Sequence, residues 1–369
     1  MRVFMIGMIS KSGGVSTHTK EMLQQYDDIG IEYELYNFLS RMGWRPGRRD
    51  PLTFLDNIYK VLKMVFYLPL KVFFSRKRID LIHVQSSGPL GGFLPAVMGV
   101  VLKRMFGKKL VITFHHSKTD VFIGRHPKIF SWVLGHSDRF IVVSNRQKAQ
   151  IRRQFGDRDQ DRIIPIPNGY DPDKFKKLDR RSVRKKFRIS EGETVLVNIA
   201  WLMEKKGQKY LIMALDEIIN GSGRSDLKCY IIGKGPLKDQ LASDIEKRGL
   251  SNNVFLTDYL PFQEMNEYLN AGDIFVLPSL DEGNPIVMFE ALGMGLPFVG
   301  TDVGGIKEII DREDYGFTVS AADHSALKSV ILKALDRNWD REMIRNYSRE
   351  FTWRKIAERT VEQYEKVLS

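Results

Sequence analysis

The chain has one cysteine, Cys229, among 369 residues. That excludes a disulfide scaffold and any zinc site built on cysteines. Cys229 falls in the apolar run Leu227–Ile232, where a thiol acts as a small buried hydrophobe, and a reducing compartment fits. Long apolar runs are also missing. The longest, from Gly88 to Leu102, is broken by Pro89 and Pro95 and ends at Lys103-Arg104, short of the roughly 18 residues that span a bilayer. The opening run Met1–Gly7 is too short for a signal h-region and has no small-residue cleavage site. These absences predict a cytoplasmic protein, soluble or peripheral on the membrane. The seven histidines show no metal-ligand spacing, and no internal repeat or low-complexity tract is present.

Acidic side chains are scarce in the first half. Residues 1–180 hold 31 Lys and Arg against 16 Asp and Glu, while the remainder holds 26 against 29. The net +12 of the chain is therefore a basic first half joined to a nearly neutral second half. Such an excess calls for an anionic partner: nucleic acid, an anionic membrane or phosphates.

Apolar strand-like runs occur at Val3–Ile9, Leu81–Gln85, Leu110–Phe114 and Arg139–Val143. A second series follows at Thr194–Ala200, Cys229–Ile232, Val254–Leu256, Ile274–Leu277 and Phe298–Gly300. Helical patterns lie between them, which predicts α/β architecture with parallel sheets. The turn Asn168-Gly169-Tyr170-Asp171-Pro172-Asp173 and the Lys-rich stretch to Arg188 separate the series. The expected domains are 1–172 and 173–351, with the terminal helix 352–369 packing back on the first. Doubly wound sheets bind ligands at the carboxyl ends of their strands.

Two such loops stand out. Ser12-Gly13-Gly14-Val15 follows the first strand, and glycines there let backbone approach an anion at a helix start. It is not G-x-G-x-x-G, which disfavours an NAD-dependent dehydrogenase. Glu32 and Glu34 lie where a ribose-binding acid would sit, on spacing alone. The other loop is Ser279-Leu280-Asp281-Glu282-Gly283-Asn284-Pro285-Ile286-Val287-Met288-Phe289-Glu290. Asn284 suits an N-cap and Pro285 the first helical turn. Glu282 then sits in the loop and Glu290 in the helix, where a carboxylate among apolar neighbours must pair or bind hydroxyls.

Glu282 and Glu290, with seven residues between, resemble the E-x7-E signature of family 4 glycosyltransferases of the GT-B fold. Gly13-Gly14-Val15, Asp80–Val84, Thr113-Phe114-His115, Val142–Ser144, Asn168–Asp171, Lys206-Gly207, Gly233–Leu237, Asp302–Gly305 and Phe351–Trp353 extend the likeness over nearly the whole chain. The resemblance implies two doubly wound Rossmann-like domains facing across a cleft. It also implies retaining transfer of a sugar from a UDP- or GDP-linked donor, with no cofactor and no metal required. By that resemblance Glu290 would bind the ribose, and Glu282 the donor sugar. The segment Gly283, Asn284, Pro285, Ile286 and Val287 at the helix start would hold diphosphate or sugar through its backbone amides, Pro285 itself having no N–H. Lys206 would neutralise the leaving diphosphate, Gly13 and Gly14 would let the first loop reach the same phosphates, and His115 would contact the sugar. The base would rest near Gly233 and Leu260. One departure is Trp201, which stands where the family carries a diphosphate-clamping arginine. Gln85 and Asp258 replace a more usual His and Gly.

The D-x-D triplets at Asp157–Asp159, Asp159–Asp161 and Asp171–Asp173 read as turns and caps. The segment Phe54–Phe74 is apolar, aromatic and basic, with Asp56, Asn57, Lys60 and Lys63 on one helical stripe. With Arg45, Arg48, Arg49, Lys71, Arg76–Arg78, Lys103, Arg104, Lys108 and Lys109, it predicts docking on anionic lipid. Nucleic acid drops out because no recognition motif accompanies the charge. The function expected is sugar transfer to a lipid-linked or cell-envelope glycan acceptor. The alternative is a non-catalytic sugar-nucleotide-binding subunit of a glycan-assembly complex.

Overall fold

The computed structural model describes residues 1–10, 13–38, 51–88, 90–157 and 159–369, with residues 51–54, 90 and 91 as backbone only. Ser12, Arg45, Arg48, Arg49 and Pro89, named above, lie outside the described residues, as do Arg158 within the first D-x-D triplet and the side chain of Phe54. The chain divides into one unit of Met1–Pro167 with Trp353–Ser369, and a second of Asn168–Thr352.

The first unit is built on the strands β1 (Arg2–Gly7), β2 (Glu32–Asn37), β3 (Leu81–Ser86), β4 (Lys109–Phe114), β5 (Arg139–Val142) and β6 (Ile163–Pro165). They form one parallel sheet in the order β2-β1-β3-β4-β5-β6. Helices α1 (Gly14–Asp28), α2 (Pro51–Leu62), α3 (Leu68–Ser75) and α4 (Leu90–Phe106) are among its crossovers. The inner strands are buried on both faces, so they read as continuous apolar runs. The order reverses between β1 and β3, which opens a crevice at their carboxyl ends.

The second unit repeats the plan with β7 (Thr194–Ile199), β8 (Leu227–Ile232), β9 (Val254–Thr257), β10 (Ile274–Leu277), β11 (Phe298–Thr301) and β12 (Gly316–Val319). Their order is β12-β11-β10-β7-β8-β9, again parallel. Successive residues alternate between the two faces. Val195 and Val197 join one core cluster, and Leu196 the other. Cys229 is fully buried in the latter. The order reverses between β7 and β10.

Three strands escaped the sequence reading: β2, β6 and β12. Each closes one edge of its sheet; β6 and β12 are only three and four residues long, and β2 carries Glu32, Glu34 and Asn37. Glu32 and Glu34, proposed from spacing as ribose ligands, belong to β2. Glu34 there pairs with Lys71 at 3.3 Å.

The helix Trp353–Leu368 packs on α1 in the first unit through polar groups as well as apolar ones. The hydroxyls of Tyr26 and Tyr364 bond to each other, and Tyr364 bonds on to Nδ1 of His83. His83 Nε2 meets Thr113 Oγ1 at 2.8 Å. All four side chains are buried, so each bond offsets a desolvation cost. Burial, with His18 a lesser cause, pushes the His83 imidazole down to about 3. Burial and the neighbouring His18 and His83 also hold His115 well below the usual range.

These shifts carry a sign. An imidazole with a lowered folded pKa binds fewer protons folded than unfolded between that value and about 6.5. Stability then rises with pH through the window and is lost on acidification. Urea unfolding should show about 1 kcal/mol lost per pH unit below pH 6 for each such histidine. His83→Gln should flatten that slope; an unaltered slope would assign the acid sensitivity to other groups.

Candidate active site

The two loops at the reversal point of the second sheet carry the strongest sequence candidates. After β7 the chain makes a 3-10 turn, Glu204–Lys206, and enters helix Gln208–Ser222 through Gly207. After β10 it runs through Ser279–Pro285 into helix Ile286–Gly293. The loops are laced together: the Leu280 amide donates to the Lys205 carbonyl at 2.7 Å. Gly207 has φ +66°, and a Cβ on it would stand 2.0 Å from the Pro278 carbonyl oxygen. Only glycine lets the loops approach this closely.

The approach joins Lys206 to Glu282. Lys206 Nζ lies 2.6 Å from Glu282 Oε1, which also accepts from Ser279 Oγ at 2.7 Å. Both charged side chains are largely buried, 16% and 9% exposed. Gly304 seals the far side, because a Cβ there would meet the Glu282 carbonyl oxygen at 2.1 Å. A cation and a carboxylate are thus presented together at the carboxyl edge of the sheet.

Asn284 departs from the expected N-cap. Pro285 occupies that position, and no side chain caps the helix. The Asn284 carboxamide is engaged elsewhere: its Oδ1 accepts from the Asn168 amide at 2.8 Å. The first-turn amides at Ile286 and Val287 are left without a side-chain acceptor, an arrangement suited to an anion. Glu290 sits one turn on. Ile286, Val287 and Glu290 form the half-exposed stripe of a helix whose Met288, Phe289, Ala291 and Leu292 are buried. Glu290 therefore lies on an open stripe instead of inside an apolar shell.

The remaining donor-side candidates follow neighbouring strands. Gly233 succeeds β8, with no room for a Cβ against the Ala200 carbonyl, 1.9 Å away. Leu260 follows β9 and packs, like Val287, on the same core cluster. Lys206, Gly233, Leu260, Gly283, Asn284, Pro285, Ile286, Val287 and Glu290 therefore all lie at or just beyond strand carboxyl ends of one unit.

Trp201 is 43% exposed. Lys234 Nζ lies 5.6 Å from the Trp201 ring centroid and 5.1 Å from that of Tyr259. An aromatic pair so placed attracts the cation by its quadrupole. Asp258 pairs with Lys238 at 2.7 Å.

In the first unit, Gly13 caps α1 with φ +119°, while Gly14 begins it, and among the described residues nothing stands within 4 Å of a Cβ on either. One turn on, the His18 ring meets the edge of His115 at 4.5 Å. His115 Nε2 lies 2.7 Å from Gln85 Oε1. A carboxamide oxygen only accepts, so Nε2 carries the hydrogen and Nδ1 keeps its lone pair. Gln85 thus fixes the tautomer of His115. His116 points elsewhere, its ring 2.6 Å from where a Cβ on Gly88 would stand. The D-x-D aspartates make local contacts: Asp171 Oδ1 accepts from the Asp173 amide at 2.9 Å, and Asp157 pairs with Arg152 at 2.6 Å. Among the described residues no group of three His, Cys, Asp or Glu gathers to hold a metal.

Comparison with known proteins decides the family. The description "Glycosyltransferase Family 4" matches residues 12–174, and "Glycosyl transferases group 1" matches residues 179–351. The chain belongs to the family 4 glycosyltransferases. The phosphatidylinositol N-acetylglucosaminyltransferase GPI3 subunit of Saccharomyces cerevisiae is 26% identical over 97% of this chain and 80% of its own length. Sucrose-phosphate synthase from Thermosynechococcus elongatus superposes with a TM-score of 0.79 at 17% identity, covering 99% of this chain and 98% of that one. Anabaena HepE, solved with UDP-glucose, gives a TM-score of 0.73 at 18% identity, covering 99% and 100%. The fold of this family 4 enzyme is GT-B.

The ion pair predicts an asymmetry. Lys206→Ala strands a buried carboxylate and should cost about 3 kcal/mol or more of unfolding free energy. Glu282→Gln leaves a lysine able to reach water and should cost about 1 kcal/mol. Equal costs in urea unfolding would contradict the geometry. A second contrast concerns glycines. Gly207→Ala should cost at least about 2 kcal/mol, whereas Gly14→Ala should stay within about 0.5 kcal/mol. Thermal unfolding of both variants checks it.

Proposed function

We propose that this glycosyltransferase moves a sugar, with retention, from a UDP- or GDP-linked donor to a lipid-linked or cell-envelope glycan. Its place would be the cytoplasmic membrane face. The observation that carries the reading is the Lys206–Glu282 pair beside an uncapped helix start at the reversal point of a doubly wound sheet. In this reading the donor diphosphate takes the Lys206 ammonium and the amides of Ile286 and Val287. Glu282, released from Lys206, accepts hydrogen bonds from the sugar hydroxyls, and Glu290 accepts them from the ribose. The base lies near Gly233 and Leu260.

The acceptor oxygen bonds to the anomeric carbon as the carbon–phosphate oxygen bond breaks. The electron pair leaves on the diphosphate, and the acceptor proton passes to a phosphate oxygen on the same face. Fixed charges at that oxygen supply the stabilisation, so no metal is assigned a role. Retention here rests on family membership.

The acceptor side is supported by the basic first half and by the name of the yeast relative, which specifies transfer to phosphatidylinositol. Among the described residues no helix is long and apolar enough to cross a membrane. A second reading, a non-catalytic sugar-nucleotide-binding subunit, is favoured by Trp201 in place of a phosphate-clamping cation. The same relative is itself called a subunit.

A thermal-shift screen over sugar nucleotides should identify the donor, since a ligand at 100 times its Kd stabilises by about 2.7 kcal/mol. With that donor, Glu282→Gln should lower transfer at least about 100-fold while the fold persists. Undiminished transfer would overturn the site. Trp201→Arg separates the two readings. Enhanced transfer supports the enzyme; negligible transfer by both parent and variant, with donor binding intact, supports the subunit.

A further inference from the structure

The rod formed by α2, a π-helical turn Lys63–Tyr67 and α3 is apolar on the wrong side. Its inner row, Met64, Leu68 and Val72, is buried in the first unit's core. The charged residues of the polar stripe turn inward or sideways. Lys60 pairs with Asp56 at 2.6 Å, their side chains only 17% and 10% exposed. Lys63 Nζ sits 5.6 Å from the Tyr36 ring centroid. Lys71 donates to the Leu35 carbonyl and pairs with Glu34.

The outer row, Leu62, Phe66, Leu70 and Phe74, faces solvent at 49, 65, 57 and 80% exposure. Spacing of four residues keeps these side chains on one face. Eleven of the nineteen exposed large hydrophobic side chains among the described residues fall in this rod. A monomer rarely leaves so large an apolar patch uncovered without use for it.

We infer that this outer face inserts into the headgroup boundary of an anionic lipid bilayer, the rod lying in the membrane plane. Charge complementarity selects the partner. Arg76 lies on the Phe73 ring at 3.6 Å, and Lys77 and Arg78 follow, exposed. Phe73 also meets Phe106 at 6.3 Å, which brings the end of α4, with Arg104 and the exposed Met105, to the same rim. Cations bordering an inserted apolar face match anionic headgroups. A second copy would bring the same cations against themselves, which opposes a symmetric dimer. The inference deepens the membrane-face reading above and replaces surface attraction by insertion.

The test uses the full chain with vesicles of phosphatidylcholine alone or with phosphatidylglycerol. Wild type should sediment with the anionic vesicles, and a substantial fraction should stay bound in molar salt. Phe66→Ser with Phe74→Ser should weaken partitioning at least about tenfold, with unchanged thermal unfolding and unchanged donor stabilisation. Phe66→Trp should shift its emission to the blue on anionic vesicles only. Lys77→Glu with Arg78→Glu should lower capture by anionic vesicles while leaving the salt-resistant part. Three results would overturn the inference: no vesicle binding, binding abolished by salt and indifferent to the phenylalanines, or a solution dimer dispersed by the serine variant. Donor stabilisation is read separately, so failure of vesicle binding with an intact donor shift counts against insertion alone. Vesicle binding without any donor shift counts against the sugar-transfer reading alone.

Discussion

The buried pair of Lys206 and Glu282 sets the terms for the second unit's working edge. Two loops that leave neighbouring strands in opposite directions are drawn together at the point where the sheet reverses. Neither charge has much water, so each depends on the other and on Ser279. The loops can approach because Gly207 carries no side chain, and Gly304 lets the loop after β11 close on Glu282 in the same way; backbone oxygens stand 2.0 and 2.1 Å from the would-be Cβ atoms. The glycines, the pair and the uncapped helix start form one device. A cation, a carboxylate and first-turn amides are thereby gathered at one sheet edge.

The first unit answers a different demand. Its polar side chains run through the interior from Tyr26 and Tyr364 to His83, and Gln85 and His115 continue the run at the sheet's carboxyl edge. Gln85 accepts from His115 Nε2 and so fixes which imidazole nitrogen keeps its lone pair. The same network ties the last helix of the chain into the first unit. The rod of α2 and α3 then uses its lysines inward, as structural cations, and leaves its apolar residues outside.

Much of this was legible in the residues. Glu282 and Glu290 at their spacing, Lys206-Gly207 and the glycine loop marked the family, and the inner strands announced themselves as apolar runs. The edge strands did not. Gly316–Val319 and Ile163–Pro165 are too short to announce themselves by periodicity. Asn284 looked like a cap because its type and place suit one, yet Asn168, 116 residues away in sequence, takes its carboxamide. Lys234 between Trp201 and Tyr259 could not be read from spacing, since the three arrive on loops after three different strands.

By itself the sequence determined the architecture and the family, because strand periodicity, glycine requirements and fixed motif spacing are local properties. Tertiary structure decided which charges pair and which faces meet water. The helix pattern between Phe54 and Phe74 shows the difference most clearly. Periodicity assigned its polar residues to one stripe, but it cannot say which stripe faces the core. That choice was made by Asp56 within the rod and by Glu34 and Tyr36 on a strand that the sequence reading had missed.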